Sequence, residues 1–162
     1  MKRKKLLSLL IALTLVFIWS NSLLSRELSG AISDTIMETM NDVAAMLGFR
    51  EDVFTYMMDQ DGDGQEEPTS FLVRKAAHIT EFAVLAVLVW LRLESRGKKR
   101  FFTAAALGAA AGAIDEGLQL LSCRGSQVQD VLIDCIGVLL GLVLTAGIDA
   151  LRRRRKAKTA SS

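Results

Sequence analysis

Four long apolar runs, each bounded by charge, leave this chain few ways to fold. Leu6–Leu24, Phe71–Leu93, Phe101–Leu121 and Gln127–Ile148 are each long enough, or nearly so, to cross a bilayer, which takes about 20 residues of helix. Basic residues crowd the N-terminus ("KRKK"), the stretch "RLESRGKKR" between the second and third runs, and the C-terminal "RRRRKAK". Residues 25–70 are the reverse, with eleven acids against Arg26 and Arg50. Charge segregated in blocks between apolar runs follows membrane topology and argues against a nucleic-acid partner. The positive-inside rule places both termini, the loop 94–100 and the basic tail 149–162 in the cytoplasm. The acidic segment 25–70 and the turn "SCRGS" then face outward. At 162 residues, with few aromatics and a single proline, the expectation is one all-α domain over 1–162. It is an integral membrane four-helix bundle with an outer amphipathic helix between the first two spans.

The first run carries an alternative. A basic start followed by "LLSLLIALTLVFIW" also reads as a secretory signal peptide, but no clean small-x-small site follows beyond Ser20-Asn21-Ser22. A retained anchor is therefore expected, and the other three spans keep their orientation either way. The two cysteines do not form a framework. Cys123 falls in the outer turn and Cys135 inside the last run, about 18 Å away along a helix, too far for a disulfide.

The outer segment has two features. Leu28, Ile32, Ile36, Met40, Val43 and Leu47 recur every three or four residues with acids between them, which predicts an amphipathic helix. Packing across the outer ends of the bundle is the plainer role for it. Insertion into an anionic lipid surface fits less well, because such helices are normally basic. Further on, "DQDGDGQEEPTS" imitates a calcium loop. Asp59, Asp61, Asp63 and Gly64 match its first, third, fifth and sixth positions, but Ser70 stands where a closing glutamate belongs. Calcium at Asp59, Asp61 and Asp63 is one reading, and a flexible acidic linker the other.

The apolar runs also contain residues that are expensive in lipid. Lys75, His78 and Glu81 begin the second run, Asp115, Glu116 and Gln119 lie in the third, and Asp130 and Asp134 in the fourth. Ionisable groups inside a membrane mark functional sites. Helical rise puts Asp115, Asp134 and Glu81 all roughly 10 Å below the outer ends of their helices. Faces match as well. Arg74, His78 and Glu81 share a helical stripe, as do Gly112, Glu116 and Gln119, and as do Asp130, Asp134, Gly137 and Gly141. The Gly108-x-x-x-Gly112 and Gly137-x-x-x-Gly141 pairs are seams where helices approach closely. Clustered carboxylates of this kind raise one another's pKa, bind a cation, or pair with Arg and Lys. A structural ion-pair network and a ligand site both satisfy the pattern.

These residues carry a family resemblance. "RKAAHITEF" resembles the Lys-x-x-His-x-x-Glu-aromatic motif of VanZ-like proteins. "DEGLQLLSCRGSQVQDVLIDCIGVLLG" is similar to their second block: Asp-Glu-x-x-Gln, an Arg-containing turn, then Asp-x-x-x-Asp-x-x-Gly-x-x-x-Gly. "FIWSNS" is similar to the serine-bearing end of their first helix. The resemblance implies a multi-pass protein of the bacterial cytoplasmic membrane, from a family whose founding member is associated with resistance to the glycopeptide teicoplanin. It transfers Lys75, His78, Glu81, Asp115, Glu116, Gln119, Arg124, Asp130 and Asp134 as site residues. The acidic segment 25–70 has no counterpart in that pattern.

Three functions follow. In the first, the outer cluster binds a polar headgroup, a lipid-linked cell-wall precursor or part of a glycopeptide, with Lys75 and Arg124 contacting phosphate or carboxylate. In the second, a membrane hydrolase or transferase acts on a lipid-linked substrate. His78 is its acid or base, Glu81 or Glu116 tunes it, and a metal on His78 and two carboxylates is a variant. The third, an ion-coupled transporter, needs more spans than one chain offers, and no internal repeat is visible.

Overall fold

The computed structural model describes residues 2–23, 26–49, 68–121 and 128–160, all of them helix or short connection with no strand among them. The helices are α1 (Lys2–Leu23), α2 (Arg26–Met46), α3 (Pro68–Arg92), α4 (Gly97–Leu121) and α5 (Val128–Ala160). The chain divides into two units, Leu24–Ala77 and the remainder, Met1–Leu23 with His78–Ser162.

The larger unit has one core, drawn from four helices. Ile18 of α1, Phe82, Leu85, Ala86, Val89 and Trp90 of α3, Ala104 and Ala111 of α4, and Val138 and Leu142 of α5 form it. On α4, and in part on α5, the distribution of residue types is inverted relative to a water-soluble bundle. α4 buries Ala104, Gly108, Ala111, Gly112, Asp115, Glu116 and Gln119, while Phe102, Leu107, Ile114 and Leu120 are exposed. α5 buries Gly137, Val138, Gly141, Leu142 and Thr145 and exposes Leu132, Leu139, Leu140, Val143 and Leu144. Small and polar inside, large and apolar outside, is the arrangement that lipid favours. Between lipid-exposed helices there is no hydrophobic drive to association, so close backbone contact and interhelical hydrogen bonds hold them together. α1 and the Asp130–Lys156 stretch of α5 are long and apolar enough to cross a membrane.

The close contacts are made at the glycine seams. A Cβ on Gly137 would lie 2.5 Å from the carbonyl oxygen of Ile79 and 3.0 Å from its Cα, and Gly141 meets the backbone of Ala83 in the same way. Gly108 faces Val138, so α4 and α5 also touch closely. One end of the bundle is tied by polar contacts. Arg100 Nε donates to the Trp90 carbonyl at 2.8 Å, its guanidinium lies 4.6 Å over the Trp90 ring, and Trp90 Nε1 donates to Asp149 Oδ2 at 3.1 Å. Nearby, Arg92 Nε donates to Ser8 Oγ at 2.9 Å, and Lys4 pairs with Glu94 and holds that carboxyl below its ordinary range.

Two expectations about element ends change. The loop expected at 94–100 is only 93–96, because Lys98, Lys99 and Arg100 are absorbed into the first turn of α4. α5 does not stop at Ile148 but runs to Ala160. Ala, Leu, Arg and Lys are among the best helix formers, and cations near a helix C-terminus are favoured by its dipole.

In the smaller unit, α2 spans the predicted amphipathic stretch, and Gly48, at φ 86°, ends it. Phe49 N–H donates back to the Ala44 carbonyl, a helix stop that needs the left-handed backbone glycine tolerates. The stripe of Leu28, Ile32, Ile36, Met40, Val43 and Leu47 is exposed. Met37 and Ala44, on one flank of that stripe, are the residues buried.

Candidate functional site

The glycine seams decide which polar groups meet. Gly137 seats α5 against the backbone of Ile79, and Asp134 stands one turn before Gly137 while His78 immediately precedes Ile79. Gly112 supplies the remaining space: a Cβ there would lie 3.2 Å from that of Asp134 and 3.3 Å from its Oδ2. As a result His78 Nδ1 lies 3.3 Å from Asp134 Oδ1 and 3.9 Å from Asp115 Oδ2. One ligand atom from each of His78, Asp115 and Asp134 can be chosen so that all lie within 4.8 Å of one another. Below them, the Phe82 ring stacks under the imidazole, with centroids 6.5 Å apart and planes 11° from parallel.

Burial is nearly complete. Asp115 is 0 % exposed, Asp134 2 % and Glu116 5 %. Asp115 is well supported: Ser22 Oγ donates to Oδ1 at 2.5 Å and Gln119 Nε2 to Oδ2 at 2.9 Å. Asp134 and Glu116 are not. Both oxygens of each, and His78 Nδ1, lack a hydrogen-bond partner among the described residues. The 3.3 Å approach of His78 Nδ1 to Asp134 thus lacks hydrogen-bond geometry. Buried carboxylates left without donors cost several kcal/mol each unless something compensates them.

Of the residues singled out by sequence, His78, Asp115, Gln119 and Asp134 come together here. Glu81 sits one turn along α3 and accepts from Asn21 Nδ2 at 3.0 Å. Asp130 is half-buried and partnered. Lys75 is also half-buried and partnered, and belongs to the smaller unit. Arg124 and the calcium-loop residues Asp59, Asp61 and Asp63 lie outside the described residues, as does Cys123, whereas Cys135 is a free thiol. Sequence reasoning missed Asn21 and Ser22 as parts of the site. The signal was present in the polar "SNS" that interrupts an apolar helix near its end, but neither residue is ionisable.

The profile of the VanZ/LLP1 family matches residues 6–149. The chain belongs to the VanZ/LLP1 family. Among curated proteins and among solved structures, nothing matches the chain. VanZ/LLP1 membership together with the two apolar helices identifies a membrane protein. The matched stretch contains every residue of the polar cluster and the glycine seams that assemble it.

Proposed function

We propose that this VanZ/LLP1 protein crosses the bacterial cytoplasmic membrane four times, with both termini inside. Its outward-facing polar site holds the headgroup of a lipid-linked envelope molecule, and so lowers sensitivity to teicoplanin. The family match runs through both units of the chain, which supports treating 1–162 as one domain. The inverted packing of α4 and α5 supports spans at those helices. The basic blocks at 2–5, 98–100 and 152–156 support the orientation. The tie between α1 and the core through Ile18 and Ser22 favours a retained anchor.

The observation that carries the ligand class is an apolar cleft of about 310 Å³ along α1, α3 and α4, running from Ile11, Arg92 and Leu93 to Trp19 and Ile114, near the polar cluster in sequence. Ile11, Leu15 and Trp19 of α1, Leu85 and Val89 of α3, and Ile114 of α4 line it. Trp19 lies one turn from Ser22, and Ile114 is adjacent to Asp115. Such a groove on the helices that carry buried ionisable groups suits an amphiphile, with its chain in the groove and its headgroup at His78, Asp115 and Asp134. A lipid-linked cell-wall precursor and the lipid tail of teicoplanin are both of that class. Expression in a teicoplanin-sensitive Gram-positive host tests this. Wild type should raise the teicoplanin concentration needed to stop growth, with little effect on vancomycin. His78→Ala and Asp134→Asn at matched membrane levels should not. Protection that survives both substitutions would refute the site.

One observation favours a hydrolase or transferase instead: the Ser22 hydroxyl donates to Asp115, with His78 near the same carboxylate. In that reading His78 and Glu116 have acid and base roles. Release of headgroup from a lipid-linked substrate by purified wild type, lost in Ser22→Ala, would select it.

A further inference from the structure

The polar cluster has a charge that a headgroup phosphate does not match. Asp115, Asp134 and Glu116 are three buried carboxylates, and His78 is the basic group seen against them. Phosphate brought to such a place meets negative charge in a low-dielectric setting, where repulsion is strong. A divalent cation removes the conflict.

We propose that His78, Asp115 and Asp134 bind a divalent first-row transition metal ion, zinc or manganese, and that this ion receives the phosphate or pyrophosphate oxygen of the lipid-linked headgroup. Three features of the geometry carry this. First, one pair of donors is at coordination spacing, and Asp115 Oδ2, 3.9 Å from His78 Nδ1, is within a small side-chain adjustment of it. Bonds of about 2.0–2.1 Å in a tetrahedral site put neighbouring ligand atoms roughly 3.3 Å apart, and His78 Nδ1 and Asp134 Oδ1 are separated by 3.3 Å. Second, two of the three prospective ligands, Asp134 and His78, have no other use for their donor atoms. Asp134, 2 % exposed, has both oxygens free of hydrogen bonds among the described residues, and so does His78 Nδ1. Glu116, 5 % exposed and equally without donors, stands next to Asp115.

Third, Asp115 has the support that metal-bound carboxylates usually have. Ser22 and Gln119 each donate to it, fixing its orientation. The carboxylates of Asp115 and Asp134, with a neutral imidazole, balance the ion's double charge, so the ion and its three ligands together are neutral. Imidazole among the donors favours zinc over calcium or magnesium, which take oxygen ligands, while the two carboxylates also suit manganese. Three protein ligands leave at least one position open for a phosphate oxygen. The ion thus acts as the bridge between an acidic protein site and an acidic ligand.

This rests on reading the cluster as the working site, yet it is tested without any organic ligand, so its failure and that of the headgroup reading are distinguishable. Full-length protein in detergent micelles is stripped with a chelator, then titrated with zinc or with manganese, and metal content is measured after gel filtration. A single tightly held ion per chain is expected. Gln119→Ala, which removes a donor that positions Asp115, should weaken binding about 10- to 100-fold. His78→Ala and Asp134→Asn should weaken it further, each with helicity checked by circular dichroism. If Asp134→Asn fails to fold, His78→Ala and Gln119→Ala carry the test. Replacing Asp59, Asp61 and Asp63 together by asparagine should leave the affinity unchanged. Wild type without a stoichiometric ion, an affinity indifferent to His78→Ala, or loss of the ion in the Asp59/Asp61/Asp63 variant would each overturn the proposal.

Discussion

Replacing Gly137 by alanine should separate α3 from α5 and dismantle the polar cluster, whereas the same change at Gly147 should do neither. At Gly137 the new methyl would lie 2.5 Å from the Ile79 carbonyl oxygen, while ordinary Cβ contacts begin near 3.4 Å. The obstructing atoms are backbone, so no rotamer can relieve them, and the helices must part by roughly 1 Å. Overpacking of this kind costs about 1–3 kcal/mol. Alanine also favours the helical backbone by about 0.5–1 kcal/mol relative to glycine. Gly147, on the same helix, has nothing within 4 Å of its would-be Cβ, so only the favourable term applies there. Comparing the two variants cancels helix propensity and leaves the steric cost, about 1–3 kcal/mol between them. Unfolding in mixed micelles, followed by the fluorescence of Trp19 and Trp90, measures it. The same displacement should carry Asp134 Oδ1 beyond reach of His78 Nδ1, now 3.3 Å away, and abolish teicoplanin protection. Gly137→Ala as stable as Gly147→Ala would refute close packing of α5 on α3 as the element that builds the site.

Three further outcomes are expected. Ser22→Ala removes a donor from a fully buried carboxyl group and should lower stability by about 1–3 kcal/mol; no change in the unfolding midpoint would mean that the Ser22–Asp115 hydrogen bond is not what holds Asp115 in place. Asp149→Asn keeps an acceptor for Trp90 Nε1 but weakens the attraction for Arg100. It should reduce stability by about 1 kcal/mol while leaving teicoplanin protection intact, and loss of protection at normal expression would contradict an outer site. Cys123, in the turn assigned to the outer face, should react with a membrane-impermeant maleimide on intact cells, and Cys123→Ser should remove that signal. Labelling only after permeabilisation would reverse the orientation.

Helices and their approximate limits were legible because they depend on local pattern. Apolar length gave the runs that became α1, α3, α4 and α5, and the period of Leu28, Ile32, Ile36, Met40, Val43 and Leu47 gave α2. Helical rise likewise put Glu81, Asp115 and Asp134 at one level, since it depends only on counting residues from a boundary. Exposure of the α2 stripe was not legible. Amphipathic period says that a face is distinct, not what covers it.

Sequence alone determined that this chain is all-helical, that it belongs with membrane proteins, and that three of its apolar runs carry ionisable residues. Tertiary structure decided which of them meet. His78 turns to Asp115 and Asp134, while Glu81, a single turn away on α3, is met by Asn21. Ser22 and Gln119 hold Asp115, and Asp134 and Glu116 are left without donors. The reason is rotational. Periodicity fixes each helix's own faces, but the angle at which one helix presents a face to another is set where backbones touch, at Gly112 with Asp134, Gly137 with Ile79 and Gly141 with Ala83. Those contacts join residues about 22 to 58 positions apart, and no local pattern encodes them.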